Sequence, residues 1–211
     1  NYNIERYLEK NNMEVELPRM YDIYRNLMLF HTISEIKDFK VRHSLGNMLY
    51  VFGGDAYMDY ALNLMEKIAA RHPLYEPALR LNEMAALSDH IIHHSIQSGE
   101  GFLMAADILH HAAEGIRSFV ILQPFGCLPN HVCGRGLIKP IKEEYPGIQV
   151  LPLDYDPDTS YANIENRLQM LIMNARNFDS QPEEDGGIKF DEAETYEKEP
   201  DIEKMFDMEA V

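Results

Sequence analysis

The sequence predicts an α/β fold of Rossmann-like type, an open parallel sheet with helices on both faces and a helical insertion. Two short β-branched and apolar runs carry this expectation, Phe119-Val-Ile-Leu122 and Ile148-Gln-Val-Leu-Pro-Leu153, and both read as buried strands. They alternate with segments of helical period, and such alternation means a parallel sheet with helices on its faces. Strands are few for 211 residues, so a helical insertion is expected over about 33–98.

The elements follow in order. Asn3 can cap a short helix in which Ile4, Tyr7 and Leu8 share one face. Met13-Glu-Val-Glu-Leu17 alternates apolar and polar and reads as a strand. Pro18 opens a helix over about 19–32, with Met20, Ile23, Leu27 and Phe30 along one stripe. Helix, strand, helix at the very start, with Asn1 in place of Met, leads us to expect a chain truncated before a strand that would complete a βαβ unit. Gly53-Gly54 marks a break, and Asp55 can cap a helix to about Arg71 with Ala61, Leu64, Met65 and Ile68 inward. Further helices are expected over about 76–96 and, after a turn at Ser98-Gly-Glu-Gly101, to about Glu114, the latter closed by Gly115. A helix of about ten residues separates the two strands and ends near Tyr145-Pro-Gly147. Ser160 caps a last helix to about Arg176, with Ile164, Leu168, Leu171 and Ile172 inward. The resulting division is an α/β domain over 1–177 and an acidic tail over 178–211.

Net charge is −16, and thirteen Asp/Glu against three Lys between Asp179 and Val211 supply −10 of it. No basic patch stands out to neutralise phosphates, which argues against nucleic-acid binding. There is no signal peptide and no apolar run of membrane-spanning length, so a cytoplasmic setting away from membranes is expected. Two cysteines do not make a disulfide framework.

The stretch Gln123 to Gly136, QPFGCLPNHVCGRG, follows the first strand and leads into a helix. Open α/β sheets place their chemistry at such strand ends. Cys127 sits near the start of that helix, where backbone N–H groups favour a thiolate, a metal ligand or nucleophile. The alternative is a small residue packing the turn. Cys133 falls inside or at the start of the helix, and Cys-x5-Cys is no standard metal spacing. His131 can be a ligand, an acid/base or a residue bonding backbone, and Asn130 can hydrogen-bond a ligand. Gly126, Gly134 and Gly136 fit neither the dinucleotide spacing nor the nucleoside-triphosphate loop, so no nucleotide site is expected. Asp154 and Asp156, after the second strand, can contact a polar ligand or simply turn the chain. His90, His93 and His94 lie on one expected helix face, with His110 and His111 on the next, a spacing that can bind zinc or merely face solvent.

These residues carry a resemblance. Gln123-Pro-Phe-Gly-Cys-Leu-Pro-Asn-His131, Gly134-x-Gly-Leu-Ile-Lys139, Leu153-Asp-Tyr-Asp-Pro157 and Asn163-x-x-Asn-Arg167 are similar to the C-terminal part of the 2-hydroxyacyl-CoA dehydratase family, nearest its large fused members, the CoA-substrate-specific enzyme activases. Ser98-Gly-Glu-Gly-Phe102 resembles a Gly-Glu-Gly-Trp element preceding that motif, with Phe for Trp. Asn3-Ile-Glu-Arg-Tyr-Leu8 and Met13-Glu-Val-x-Leu-Pro18 resemble the opening of the same region. The resemblance spans about 1–176 and is weakest over 33–97. It implies a module of anaerobic metabolism that accepts low-potential electrons from an ATP-dependent activase and carries an iron–sulfur cluster, [4Fe–4S] or related, on cysteines. Dehydratase members reduce a 2-hydroxyacyl-CoA to a ketyl radical that eliminates water. The resemblance makes Cys127 the one candidate cluster ligand, with the remaining ligands from outside this chain. Cys133 stands where Thr or Val is usual and receives no role. The partners implied are the activase module or upstream domains of the same polypeptide, and an acyl-CoA-type substrate. The alternative is a structural or docking domain without a cluster.

Overall fold

The computed structural model describes residues 3–73, 75, 77, 79–96, 99–156 and 160–179. Up to Phe178 they belong to one compact unit. The expected acidic tail from 180 onward lies outside the described residues.

Both strands form. β1 (Ser118–Pro124) pairs in parallel with β2 (Gln149–Tyr155), in register from Ser118 opposite Gln149 to Pro124 opposite Tyr155. Side chains alternate across the pleat and divide the core in two. Phe119, Ile121 and Val150 join one apolar cluster, built on α5 (Leu81–Ser88), α6 (Leu103–Ala113) and α7 (Ile138–Glu144). Val120, Leu151, Leu153 and Tyr155 join another, with Ile4 and Leu8 of α1 (Ile4–Lys10) and Ile164, Leu168, Leu171 and Ile172 of α8 (Tyr161–Asp179). The α8 face is the one its period predicts. The fold is therefore mixed α/β with helices on both faces of a parallel pair. It is not a full Rossmann sheet, because the sheet has two strands among the described residues.

The expected strand at Met13–Leu17 forms no regular element and pairs with neither β1 nor β2. Met13 and Val15 pack on the α1–α8 cluster, so the alternation reflects one-sided burial rather than sheet pairing. Asn3 precedes α1 in the left-handed region, and its side chain makes no cap bond.

The helix expected over 19–32 runs as α2 (Met20–Arg25), a π-helical turn (Asn26–Phe30) and α3 (His31–Lys37). The wider turn rotates the stripe. Ile23 and Phe30 reach the core as expected, but Met20 and Leu27 are exposed, and Leu29 and Ile33 are buried instead.

No break occurs at Gly53-Gly54. α4 (Leu45–Ala69) runs through it, capped by the Ser44 hydroxyl, which accepts the Asn47 N–H at 3.2 Å. Asp55 is not a cap. Arg25, almost fully buried, donates to Asp55 at 2.6 Å and Asp59 at 2.7 Å, while Glu66 accepts Arg80 at 2.6 Å. Asp55, Asp59, Leu62 and Glu66 recur at helical spacing, so these pairs fix which face turns inward. Val51 and Leu62 are buried, and Leu64, Met65 and Ile68 are exposed, contrary to their expected inward placement. A methyl on Gly54 would lie 3.2 Å from Leu29, so this glycine permits close helix approach.

α5 ends at Ser88, well short of 96. The Asp89 carboxylate accepts the backbone N–H of His94 at 2.8 Å, and this loop bond competes with continued helix. α6 closes as expected, with Gly115 at φ 97°.

Candidate functional site

β1 and β2 end side by side, so the chain leaving each meets at one edge of the sheet. The Phe125 N–H donates to the Tyr155 carbonyl at 2.8 Å, one step beyond β1. Gly126 then turns the chain at φ 71°, a conformation glycine adopts without penalty. The Cys127 N–H closes the turn on the Pro124 carbonyl at 3.0 Å. Leu128 begins an irregular helix that continues through a π-helical turn (Asn130–Gly134) and a 3-10 turn (Arg135–Leu137) into α7. The Cys127 carbonyl accepts the His131 N–H at 3.2 Å, so Cys127 immediately precedes the helix in a cap position.

Three polar side chains organise this loop. The Asn130 amide donates to Cys127 Sγ at 2.9 Å. The buried Gln123 amide donates to the Asn130 carbonyl at 2.8 Å and holds the turn against the strand. His131 Nδ1 lies 2.7 Å from the Cys127 carbonyl. A carbonyl only accepts, so Nδ1 carries a proton and Nε2 faces Asp154 Oδ1 at 3.6 Å. Asp154 Oδ2 accepts Arg135 at 2.9 Å. His131, Asp154 and Arg135 thus form a polar row beside the cysteine.

Cys127 is half-buried and free, with exposed Phe125, Leu128 and Val132 near it in the chain. Gly134 lets the turn pack on β1 and α6: a methyl there would lie 3.4 Å from Ile121 and 3.5 Å from Met104 Sδ. At Gly136 a methyl would meet the His131 carbonyl at 3.7 Å. Asp156 follows β2 and is half-buried. Cys133 is different. It is 1 % exposed within the α6 cluster, and burial, with the Glu100 charge, pushes its thiol up.

The turn at 99–102 reaches the same loop. Gly99 has φ 61°, and a methyl on it would sit 2.7 Å from the Pro129 ring. Phe102 is fully buried against Phe30, ring centroids 5.7 Å apart. Two stretches separated in sequence, 99–102 and 123–136, therefore meet.

No protein-family model, curated protein or solved structure matches this chain. What the site can do rests on its own chemistry. A half-buried cysteine whose sulfur accepts an N–H offers a soft ligand atom, suited to iron–sulfur clusters, zinc or Cu(I). Among the described residues it supplies one thiolate, because Cys133 is sealed in the core, so a cluster fits here only as one shared with ligands from elsewhere.

The histidines do not lie on one helix face. His90, His93 and His94 all follow α5, and His90 pairs with Glu144 at 2.7 Å. Two separate groups, Asp89 with His93 and His94, and His110 with His111 and Glu114, have the spacing to hold an ion. In the first, both ring nitrogens of His94 are already engaged, by Asp89 at 2.7 Å and Asp38 at 2.9 Å.

Gln123 and Arg135 were not singled out from sequence. A glutamine closing an otherwise apolar strand was the available signal for the first. The partner of Arg135 lies across the sheet edge, which no local pattern reveals. Among the described residues no helix is long and apolar enough to cross a membrane.

Proposed function

We propose that this chain is the C-terminal part of a 2-hydroxyacyl-CoA dehydratase-like iron–sulfur protein, in which Cys127 gives one thiolate to a [4Fe–4S] or related cluster. On this reading the two parallel strands belong to a larger Rossmann-like sheet. The module receives low-potential electrons from an ATP-dependent activase and passes them to an acyl-CoA-type substrate in the cytoplasm. The observation that carries the reading is half-buried Cys127 at the joint C-terminal end of two parallel strands, its sulfur accepting an N–H from Asn130 at 2.9 Å. Donors of this kind lower the energy of a charged cluster and tune its potential. The packing of Gly99 on Pro129 adds support, because it joins the two motifs on which the resemblance rests.

The test is anaerobic purification of the complete gene product with iron and sulfide analysis. Cys127→Ser is expected to remove cluster absorption and most of the iron, while Cys133→Ala leaves both. Unchanged iron in Cys127→Ser rejects the reading.

A docking domain without a cluster is the second reading. It is favoured by the apolar face of α4, where Leu45, Leu49, Tyr57 and Tyr60 are all more than 65 % exposed. Binding of the activase module that survives loop substitutions but is lost in Leu49→Lys would select it.

A further inference from the structure

The last turn of α6 carries His110 and His111, and Glu114 follows as its C-cap. A ring nitrogen of each histidine and a carboxylate oxygen of Glu114 all lie within 4.8 Å of one another. We propose that these three side chains bind one borderline divalent transition metal, Zn2+ or an ion of its kind, with a coordination position left for water.

Four observations converge. The first is geometry. Consecutive helical side chains diverge by about 100°. The two imidazole rings nevertheless lie side by side, centroids 5.0 Å apart. Both face one carboxylate, with His110 Nε2 3.5 Å from Oε1 and His111 Nδ1 3.1 Å from Oε2 of Glu114. Donors held about 2.0–2.1 Å from a tetrahedral zinc ion stand roughly 3.3 Å apart, so these pairs match the edges of its coordination shell. The second is donor chemistry. Two imidazoles and one carboxylate suit zinc, nickel or copper and offer too few oxygens to hold Mg2+ or Ca2+.

The third is charge. Glu114 sits at the negative end of the α6 dipole, which favours a cation and disfavours a carboxylate. Glu16 brings a second carboxylate, its Oε2 3.8 Å from His111 Nδ1. Among the described residues neither glutamate pairs with a lysine or arginine, so a divalent ion supplies positive charge that the side chains do not. The fourth is support. Leu109 and Ala112, on either side of the histidines, are buried and fix the turn in the core. The His110 and His111 side chains keep 24 % and 22 % exposure, so an ion can reach them.

The group of Asp89, His93 and His94 differs. Both nitrogens of His94 are held by carboxylates there, which leaves none for a metal. The α6 site uses no cysteine, and it stands whether or not Cys127 carries a cluster.

The test is equilibrium dialysis of the untagged, EDTA-treated 211-residue chain against Zn2+ at about pH 7.5, where free imidazole is mostly neutral. A Cys127→Ser background removes the competing soft ligand. One Zn2+ per chain is expected, retained in excess Mg2+. His110→Gln, His111→Gln and Glu114→Gln are each expected to weaken binding about tenfold or more, and His93→Gln to leave it unchanged, with far-UV circular dichroism unaltered throughout. Absence of stoichiometric Zn2+ binding overturns the proposal. So does undiminished affinity in either α6 histidine variant, or an equal loss in His93→Gln, which would assign the ion to the group at Asp89.

Discussion

Asn130 donates its side-chain amide to the sulfur of Cys127, 2.9 Å away, while its own carbonyl is held by buried Gln123. The donor is thus fixed from behind by the strand that precedes the loop. Such a bond stabilises sulfur most when it is negatively charged, and it contributes about 1 kcal/mol or more. Asn130→Ala is expected to slow iodoacetamide alkylation of Cys127 about fivefold near pH 8, in a Cys133→Ala background. Gln123→Leu frees the Asn130 carbonyl and is expected to slow it in the same direction. An alkylation rate unaltered by Asn130→Ala would mean that the amide does not act on the sulfur.

Two of the glycines with positive φ at this site, Gly126 and Gly99, differ in surroundings. A methyl at Gly126 meets nothing within 4 Å, so Gly126→Ala carries only the left-handed backbone cost of roughly 1–2 kcal/mol. A methyl at Gly99 meets the rigid Pro129 ring at 2.7 Å, so Gly99→Ala adds a clash and is expected to cost about 3 kcal/mol. Urea unfolding of the two variants compares them directly. Equal losses would show that the 99–102 turn does not press on the cysteine loop.

The inward face of α4 is tested by two neighbouring leucines. Leu62 is 4 % exposed and Leu64 is 49 % exposed. Leu62→Ala is expected to cost about 2–4 kcal/mol, and Leu64→Ala under about 0.5 kcal/mol, by equilibrium denaturation. The reverse order would restore the face that apolar periodicity alone suggests.

That face shows where sequence reading reaches its limit. α8 was legible because Ile164, Leu168, Leu171 and Ile172 form one apolar stripe with polar residues opposite. The strands were legible as apolar runs closed by turns, and with them the strand-end position of Cys127. α4 is apolar on more than one side, so its period does not choose a face. The choice falls to Arg25, Asp55 and Asp59, whose pairing across about thirty residues is invisible locally. The same holds at the site. Cys127, Asn130 and His131 share one loop and could be read together, whereas Arg135 with Asp154 and Gly99 with Pro129 exist only through tertiary contact.

His94 joins α3 to the loop after α5. Its Nδ1 lies 2.7 Å from Asp89 and its Nε2 2.9 Å from Asp38, so both nitrogens donate and the ring is an imidazolium. Burial works against that charge, but hydrogen bonds to Asp38 and Asp89 outweigh it and hold the His94 pKa above its ordinary 6.5. The folded state therefore binds the proton more tightly than the unfolded chain. The stabilisation is fully present below about pH 6.5 and is lost as pH rises through the folded value. His94→Gln cannot take up the charge. The stability difference between wild type and His94→Gln is expected to be largest near pH 6 and to shrink steadily toward pH 9, measured by urea unfolding at each pH. A difference that stays constant over that range would show that His94 acts by packing against Phe30 and Phe102 rather than by charge.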